Sequence, residues 1–245
     1  ELELFLFYEN LFTNRIIMIW YLRGGKKMIT AVIFDMDGLM IDSERVTFEG
    51  YKHVLAKHNL TLSLEAYKTL LGKPVKAVYE LFHKDYGDDF DVEETIKAVH
   101  QYMADLFENE GVPLKEGLIE LLKYLKENDY KTIVATSSQR HRVDHILELS
   151  GLQKYFDDSI CGDEVTKGKP DPEVFLKSCQ KLGITPDEAL VLEDSESGIN
   201  AAYSAGIKVI CIPDLKYPDH KFAIMTNKIM DNLSNVRDYL ANENH

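Results

Sequence analysis

The chain of 245 residues is poor in cysteine, in basic residues and in uninterrupted apolar sequence. Cys161, Cys179 and Cys211 are odd in number and widely spaced, so they fit neither a disulfide framework nor a metal-ligand spacing. They read as small core residues of a protein in a reduced, cytoplasmic compartment. Lys and Arg number 28 against 41 Asp and Glu, a formal net charge of −13. Such a balance argues against nucleic acid or an anionic membrane as partner, and an anionic small substrate needs local positive charge.

Residues 1–22 are rich in Phe, Leu and Ile, but Glu3, Glu9, Asn10 and Arg15 interrupt them and leave no span of membrane length. A basic n-region and a small-residue cleavage site are also missing, which disfavours a secretory signal. The codons implied by Arg23-Gly24-Gly25-Lys26-Lys27 are purine-rich and stand just before Met28, as a bacterial ribosome-binding site would. Met28 is therefore the expected start, with residues 1–27 an extension outside the native protein. A short amphipathic anchor is the alternative. No internal repeat or low-complexity linker is visible.

What the chain does have is Val32-Ile33-Phe34-Asp35-Met36-Asp37-Gly38, a short apolar run that ends in two carboxylates and a glycine. The run reads as a strand buried on both faces of a parallel sheet. Its acids then stand at the carboxyl edge, where open α/β sheets bind ligands. By itself Asp-x-Asp-Gly is equally at home in a polar turn. Asp42 and Ser43 follow as caps for a helix to about residue 58, and helical patterns cover 63–71, 75–86 and 92–109. No convincing strand appears among them, so residues 43–112 read as a helical cap inserted between a core segment at 28–42 and the remaining core at 113–245.

From Glu116 helices alternate with apolar strands, the rhythm of a parallel sheet with crossover helices. Strands are expected at 131–136, 159–161, 189–192 and 208–212, with a weak one near Ile229. Helices are expected at 117–127 and 140–150, from an Asp171 cap with Pro172 at the first turn to about Leu182, at 197–205, and from Ser234. Three polar clusters fall just after strands: Thr136-Ser137-Ser138, Lys169-Pro170-Asp171-Pro172 and Glu193-Asp194. With Asp35 and Asp37 they supply carboxylates for a hard cation, donors for phosphate oxygens and one ammonium. Those are the parts phosphoryl transfer requires.

These four clusters, in this order and with a helical insertion after the first, resemble the haloacid dehalogenase superfamily. Within it the chain is similar to the β-phosphoglucomutase-like phosphatases. Asp35-Met36-Asp37-Gly38-Leu39-Met40-Ile41-Asp42-Ser43-Glu44 also resembles the pseudouridine-5′-phosphatases. The resemblance implies an α/β fold with a Rossmann-like parallel-sheet core and an inserted helical-bundle cap. It implies Asp35 as the nucleophile, Asp37 as general acid and base, and catalytic support from Thr136 and Lys169. Thr136, Ser137 and Ser138 would hold the phosphoryl group. Mg²⁺ would be bound by Asp35, by Asp194, by Glu193 directly or through water, and by the backbone carbonyl of Asp37.

The expected activity is hydrolysis of a small phosphorylated metabolite, a sugar or nucleotide-related phosphate. A phosphomutase is the alternative, and a noncatalytic ligand-binding member of the fold stands behind both. A dehalogenase is disfavoured because the second Asp and the magnesium arrangement are preserved. Where the mutases carry a cap-linker histidine this chain has Thr47. Where they carry a cap arginine and a core lysine it has Val75 and Gln139. Lys73 or Lys76 would then serve as the cap's substrate contact. His141 and His145 share a helix spacing but lack a third zinc ligand, so they read as surface histidines. For the oligomeric state a monomer is favoured.

Overall fold

The computed structural model describes residues 28–73 and 75–243. The expectations for residues 1–27 and for the Val75 side chain lie outside the described residues.

Strand β1 (Ala31–Phe34) is fully buried and pairs in parallel on both sides, with β2 (Lys131–Ala135) and β4 (Ala189–Glu193). Ile33 lies opposite Ile133 on one side and Val191 on the other. The parallel sheet is completed by β3 (Asp158–Ile160), β5 (Lys208–Cys211) and β6 (Lys228–Ile229), in the order β3-β2-β1-β4-β5-β6. Successive connections run outward in one direction from β1 and in the other from β4. The order therefore reverses between β1 and β4, the place where such sheets open a crevice beyond their carboxyl ends.

Alternating residues of these strands feed two cores, as a pleat with period two demands. Val32, Phe34, Val134, Leu190 and Leu192 join the core that contains the leucines of α5 (Leu118–Glu127) and α10 (Leu233–Glu243). Ala31, Ile33, Ile133 and Val191 face the other, made by α7 (Glu173–Leu182) and α8 (Glu196–Ser204). Each fully buried large aliphatic or Phe side chain contributes about 1.5–3 kcal/mol, so the strands at the site are anchored from both faces. All three cysteines are free and buried, and Cys161 and Cys211 are fully so.

Between β1 and β2 lie α1 (Ser43–Ala56), α2 (Leu64–Lys68), α3 (Val75–Tyr86) and α4 (Val92–Glu110), with no strand among the described residues there. On α4, Val92, Thr95, Val99, Met103 and Phe107 recur at helical spacing and form its buried stripe. A Cβ at Gly50 of α1 would come within 3.0 Å of Val99, so the two helices approach closely at that point. Tyr51, Tyr67, Phe82 and Phe90 fill the space beneath, with ring centroids 5.5–6.0 Å apart for neighbouring pairs. The chain leaves and re-enters the core side by side, with Asp42 N–H on the Pro113 carbonyl at 2.9 Å and Lys115 N–H on that of Met40 at 2.9 Å. Lys115 Nζ ties this neck to Asp214 at 2.6 Å.

The remaining elements, α6 (Arg140–Ser150) and the short α9 (His220–Ala223), flank the sheet, and α9 carries no sequence signal strong enough to announce it. Several expected boundaries move. The helix expected over 63–71 is only α2, because Thr69 closes back on Ala66 three residues earlier. Asp171 does cap α7: its side chain accepts the Glu173 N–H at 3.1 Å, and Pro172, already helical at φ −71 and ψ −4, forms the first position of the turn. Asn232 rather than Ser234 makes the cap-like contact of α10, accepting the Asn235 N–H at 3.3 Å. No helix among the described residues is long and apolar enough to cross a membrane.

Candidate active site at the carboxyl edge of the sheet

Asp35 is the first residue after β1, and its N–H continues the ladder to the Leu192 carbonyl at 3.1 Å. Its side chain is 10% exposed. Lys169 reaches it from the loop between β3 and α7. The ammonium donates to Asp35, to Glu193 Oε1 at 2.6 Å and to the Ala135 carbonyl at 3.0 Å. It is itself almost fully buried and lies 5.0 Å from the Phe175 ring. Burial would lower the Lys169 pKa, but the charges of Asp35 and Glu193 raise it instead, so the lysine stays cationic.

Glu193 ends β4 with no exposed surface. Its Oε2 accepts the N–H groups of Asp194 and Ser195 at 3.1 and 3.0 Å and the Ser195 hydroxyl at 2.9 Å. Gly198, in the first turn of α8, makes room for this carboxylate: a Cβ there would sit 1.8 Å from Glu193 Oε1. Gly198→Ala is therefore expected to destabilise the protein by about 1–3 kcal/mol, although alanine normally favours a helix over glycine by about 1 kcal/mol. Urea unfolding of the variant measures this, and a stabilised variant would refute the packing argument. Gly38 has φ +82 and is pressed against Asp194, where a Cβ would fall 2.2 Å from Oδ2. The glycine that ends the first motif thus serves both the turn and the acid across the crevice.

Asp35, Glu193 and Asp194 each place a carboxylate oxygen within 4.8 Å of the others. One ammonium cannot balance three carboxylates. Burial first, opposed by Lys169 and reinforced by Glu193, pushes the Asp35 carboxyl up to about 8. Asp194 is raised well above the usual carboxylate range by burial and then by Glu193 and Asp35, and its carboxylate has no hydrogen-bond donor among the described residues. An all-oxygen, electron-rich set short of positive charge suits a hard divalent cation such as Mg²⁺. The carboxylate of Asp37 lies outside this set.

Thr136, just beyond β2, is buried, and its Oγ1 accepts the Ser138 N–H at 3.1 Å. The Ser138 hydroxyl donates to Asp37 at 2.8 Å. Ser137 is exposed, with its backbone held against Gly162. Asp35, Asp37, Thr136, Ser138, Lys169, Glu193 and Asp194 are thus linked through one edge of the sheet. Lys73 and Lys76 are not brought to them: both are exposed, and Lys76 lies 3.9 Å from Glu80.

Arg142, in the first turn of α6, is a site residue that motif reading misses. It grips Asp37 with both guanidinium nitrogens, at 2.7 and 2.8 Å, and donates to the Ser138 hydroxyl at 2.7 Å. Burial would raise the Asp37 pKa, but the Arg142 charge and the bonds from Arg142, Ser138 and Ser43 outweigh it and hold the carboxyl below its ordinary value. A cleft of about 890 Å³ opens here between α1 and α4 of the cap and α6 of the core, with Thr47, Gln139, His141 and His145 on its walls. His145 faces Glu108 of α4 at 2.8 Å across it, and neither histidine belongs to a three-ligand group among the described residues. Glu44 also lines it, bound by the Tyr67 hydroxyl at 2.6 Å.

Residues 32–212 match the family model of haloacid dehalogenase-like hydrolases. A phosphorylated carbohydrates phosphatase of Thermotoga maritima is 35% identical over 181 residues, covering 74% of this chain and 83% of that protein. A mitochondrial (DL)-glycerol-3-phosphatase of Arabidopsis thaliana is 31% identical over 226 residues, 86% of this chain and 72% of its own length. Among solved structures, a Thermotoga maritima protein provisionally named β-phosphoglucomutase superposes with a TM-score of 0.73 at 29% identity, covering 86% of this chain and 98% of its own.

Proposed function

This chain belongs to the haloacid dehalogenase-like hydrolases and is an enzyme of their phosphatase kind, and we propose that it hydrolyses small phosphomonoesters through an aspartyl-phosphate on Asp35, with Mg²⁺ as cofactor. The observation that carries this reading is the buried group of Asp35, Glu193 and Asp194 around a single lysine.

Asp35 is the nucleophile: its carboxylate attacks phosphorus and the ester P–O bond breaks, the substrate leaving as its alcohol. Lys169 keeps Asp35 oriented and offsets charge that builds on the phosphoryl oxygens. Thr136 with the backbone after β2 supplies donors to the same oxygens, with Ser137 and Ser138 beside it. Asp37 delivers a proton to the leaving oxygen and then removes one from the water that hydrolyses the acyl phosphate. Asp35, Glu193, Asp194 and the Asp37 carbonyl would hold the magnesium ion, whose bound charge lets an anionic nucleophile approach an anionic ester. The helical cap closes the crevice against bulk water and selects the leaving group.

The relatives' names point to sugar and polyol phosphates as the substrates to try first, and Lys73 and Lys76 stay proposals for the cap's contact with them. Phosphate release from a panel of sugar phosphates, glycerol 3-phosphate and pseudouridine 5′-phosphate, with Mg²⁺ present, tests the proposal. Turnover of at least one member that EDTA abolishes supports it. Conversion of β-glucose 1-phosphate to glucose 6-phosphate with a bisphosphate primer, without phosphate release, would instead establish the mutase alternative. A substrate bound without turnover would establish the noncatalytic one.

A further inference from the structure

We propose that Arg142 is a specificity-determining residue, which selects phosphomonoesters whose leaving group carries a second anionic group, a carboxylate or a phosphate, by exchanging its bond to Asp37 for that anion. The proposal rests on the phosphatase reading above. Its starting point is that the general acid and base is fully engaged in this structure. Each Asp37 oxygen accepts from a different guanidinium nitrogen, and the oxygen facing Ser138 accepts a hydroxyl hydrogen as well. A carboxylate paired two-pronged with a guanidinium is held in its ionised form and is not free to give a proton to a leaving group. Arg142 must release it for the chemistry to proceed.

What can take the guanidinium away follows from its surroundings. Among the described residues, Arg142 is the one Lys or Arg side chain that lines the large cleft beneath the cap. Lys169 is already shared between Asp35 and Glu193. The other charged walls of the cleft are the acids Asp37 and Glu44, and the Tyr67 hydroxyl binds Glu44. The chain as a whole carries a net charge of −13, so among the described Lys and Arg side chains of this cleft a second anion on the substrate finds its partner at Arg142. A planar guanidinium bound two-pronged to one carboxylate matches another carboxylate or a phosphate in the same geometry. A hydroxyl of an uncharged leaving group cannot offer that exchange. Arg142 is about one-third exposed, on the cleft side, so an entering anion reaches it without unfolding α6.

The test compares matched pairs of phosphomonoesters on the full enzyme with Mg²⁺: 3-phosphoglycerate against glycerol 3-phosphate for the carboxylate arm, and fructose 1,6-bisphosphate against fructose 1-phosphate for the phosphate arm. For the wild type, kcat/KM is expected to favour the two-anion member of at least one pair by about tenfold or more, and the arm that does so identifies the anion. In Arg142→Gln that preference falls by at least tenfold, mainly through KM of the two-anion member. Arg142→Lys, with the charge but without the fork, lies between. A wild type without preference in either pair, or a Gln variant that lowers both members equally, overturns the role. p-Nitrophenyl phosphate separates the two levels. Turnover of it without two-anion preference defeats the role of Arg142 alone, whereas no release from any of the five compounds defeats the phosphatase reading and this role with it.

Discussion

Asp35→Asn is expected to reduce phosphate release by roughly four orders of magnitude or more while leaving the fold intact. An amide has the shape of the carboxylate but cannot open an attack on phosphorus. Glu193 cannot replace that carboxylate, because it is held by Lys169, Ser195 and the backbone of Asp194 and Ser195. Stability should not suffer. Lys169 keeps its 2.6 Å bond to Glu193 and its bond to the Ala135 carbonyl, and the substitution removes one of three crowded acids. Phosphate release and a thermal melt on the same preparation check both halves. A variant that retains more than a few per cent of activity would exclude Asp35 as the nucleophile. One that loses both activity and folding would show Asp35 to be structural.

That crevice was legible in the sequence because β-strands have a period of two and a fixed direction. A short apolar run fits a strand buried on both faces of a parallel sheet, and residues just past parallel strands meet at one edge. Asp35, Thr136 and Glu193 follow that rule directly, since Phe34 pairs with both Val134 and Leu192. Lys169 is different: it arrives from a loop, and only its place in the motif marked it. Arg142 escaped for a related reason. It sits four residues after Ser138, one helical turn into α6, and which way that turn faces depends on how α6 packs on the sheet rather than on local spacing. Its signal was present as a cation one turn beyond the Thr136-Ser137-Ser138 cluster, at the helix start that follows β2. The cap was harder still. Helical periodicity identifies α1, α3 and α4 but does not set their rotation over the core, so a lysine at 73 or 76 could as well face the crevice as solvent.

Magnesium is expected to raise the thermal midpoint, and to do so more at pH 8 than at pH 5. Without an ion, Asp35 holds its proton up to about 8 against an ordinary value of 3.8, and Asp194 is raised too. Across that interval the folded state binds more protons than the unfolded state. Stability is therefore complete only below the ordinary carboxyl pKa and falls as pH rises toward the folded value. A divalent cation among the three acids favours their ionised forms and removes the penalty where it is largest. At a concentration of 100 times its dissociation constant a ligand adds about 2.7 kcal/mol, which for a protein of this size corresponds to a rise of about 5–10 °C. Asp194→Asn should lose most of that rise and, in EDTA, should melt higher than the wild type at pH 8, because one uncompensated acid is gone. Differential scanning calorimetry of both proteins, with Mg²⁺ and with EDTA at the two pH values, decides the matter. A magnesium shift that is equal at both pH values, or equal in Asp194→Asn, would mean that the ion binds elsewhere and that the acidic group is balanced by other means. The same excess of negative charge that weakens the metal-free fold is what prepares the crevice to bind a cation, so here the stability cost and the proposed catalytic capacity have one physical origin.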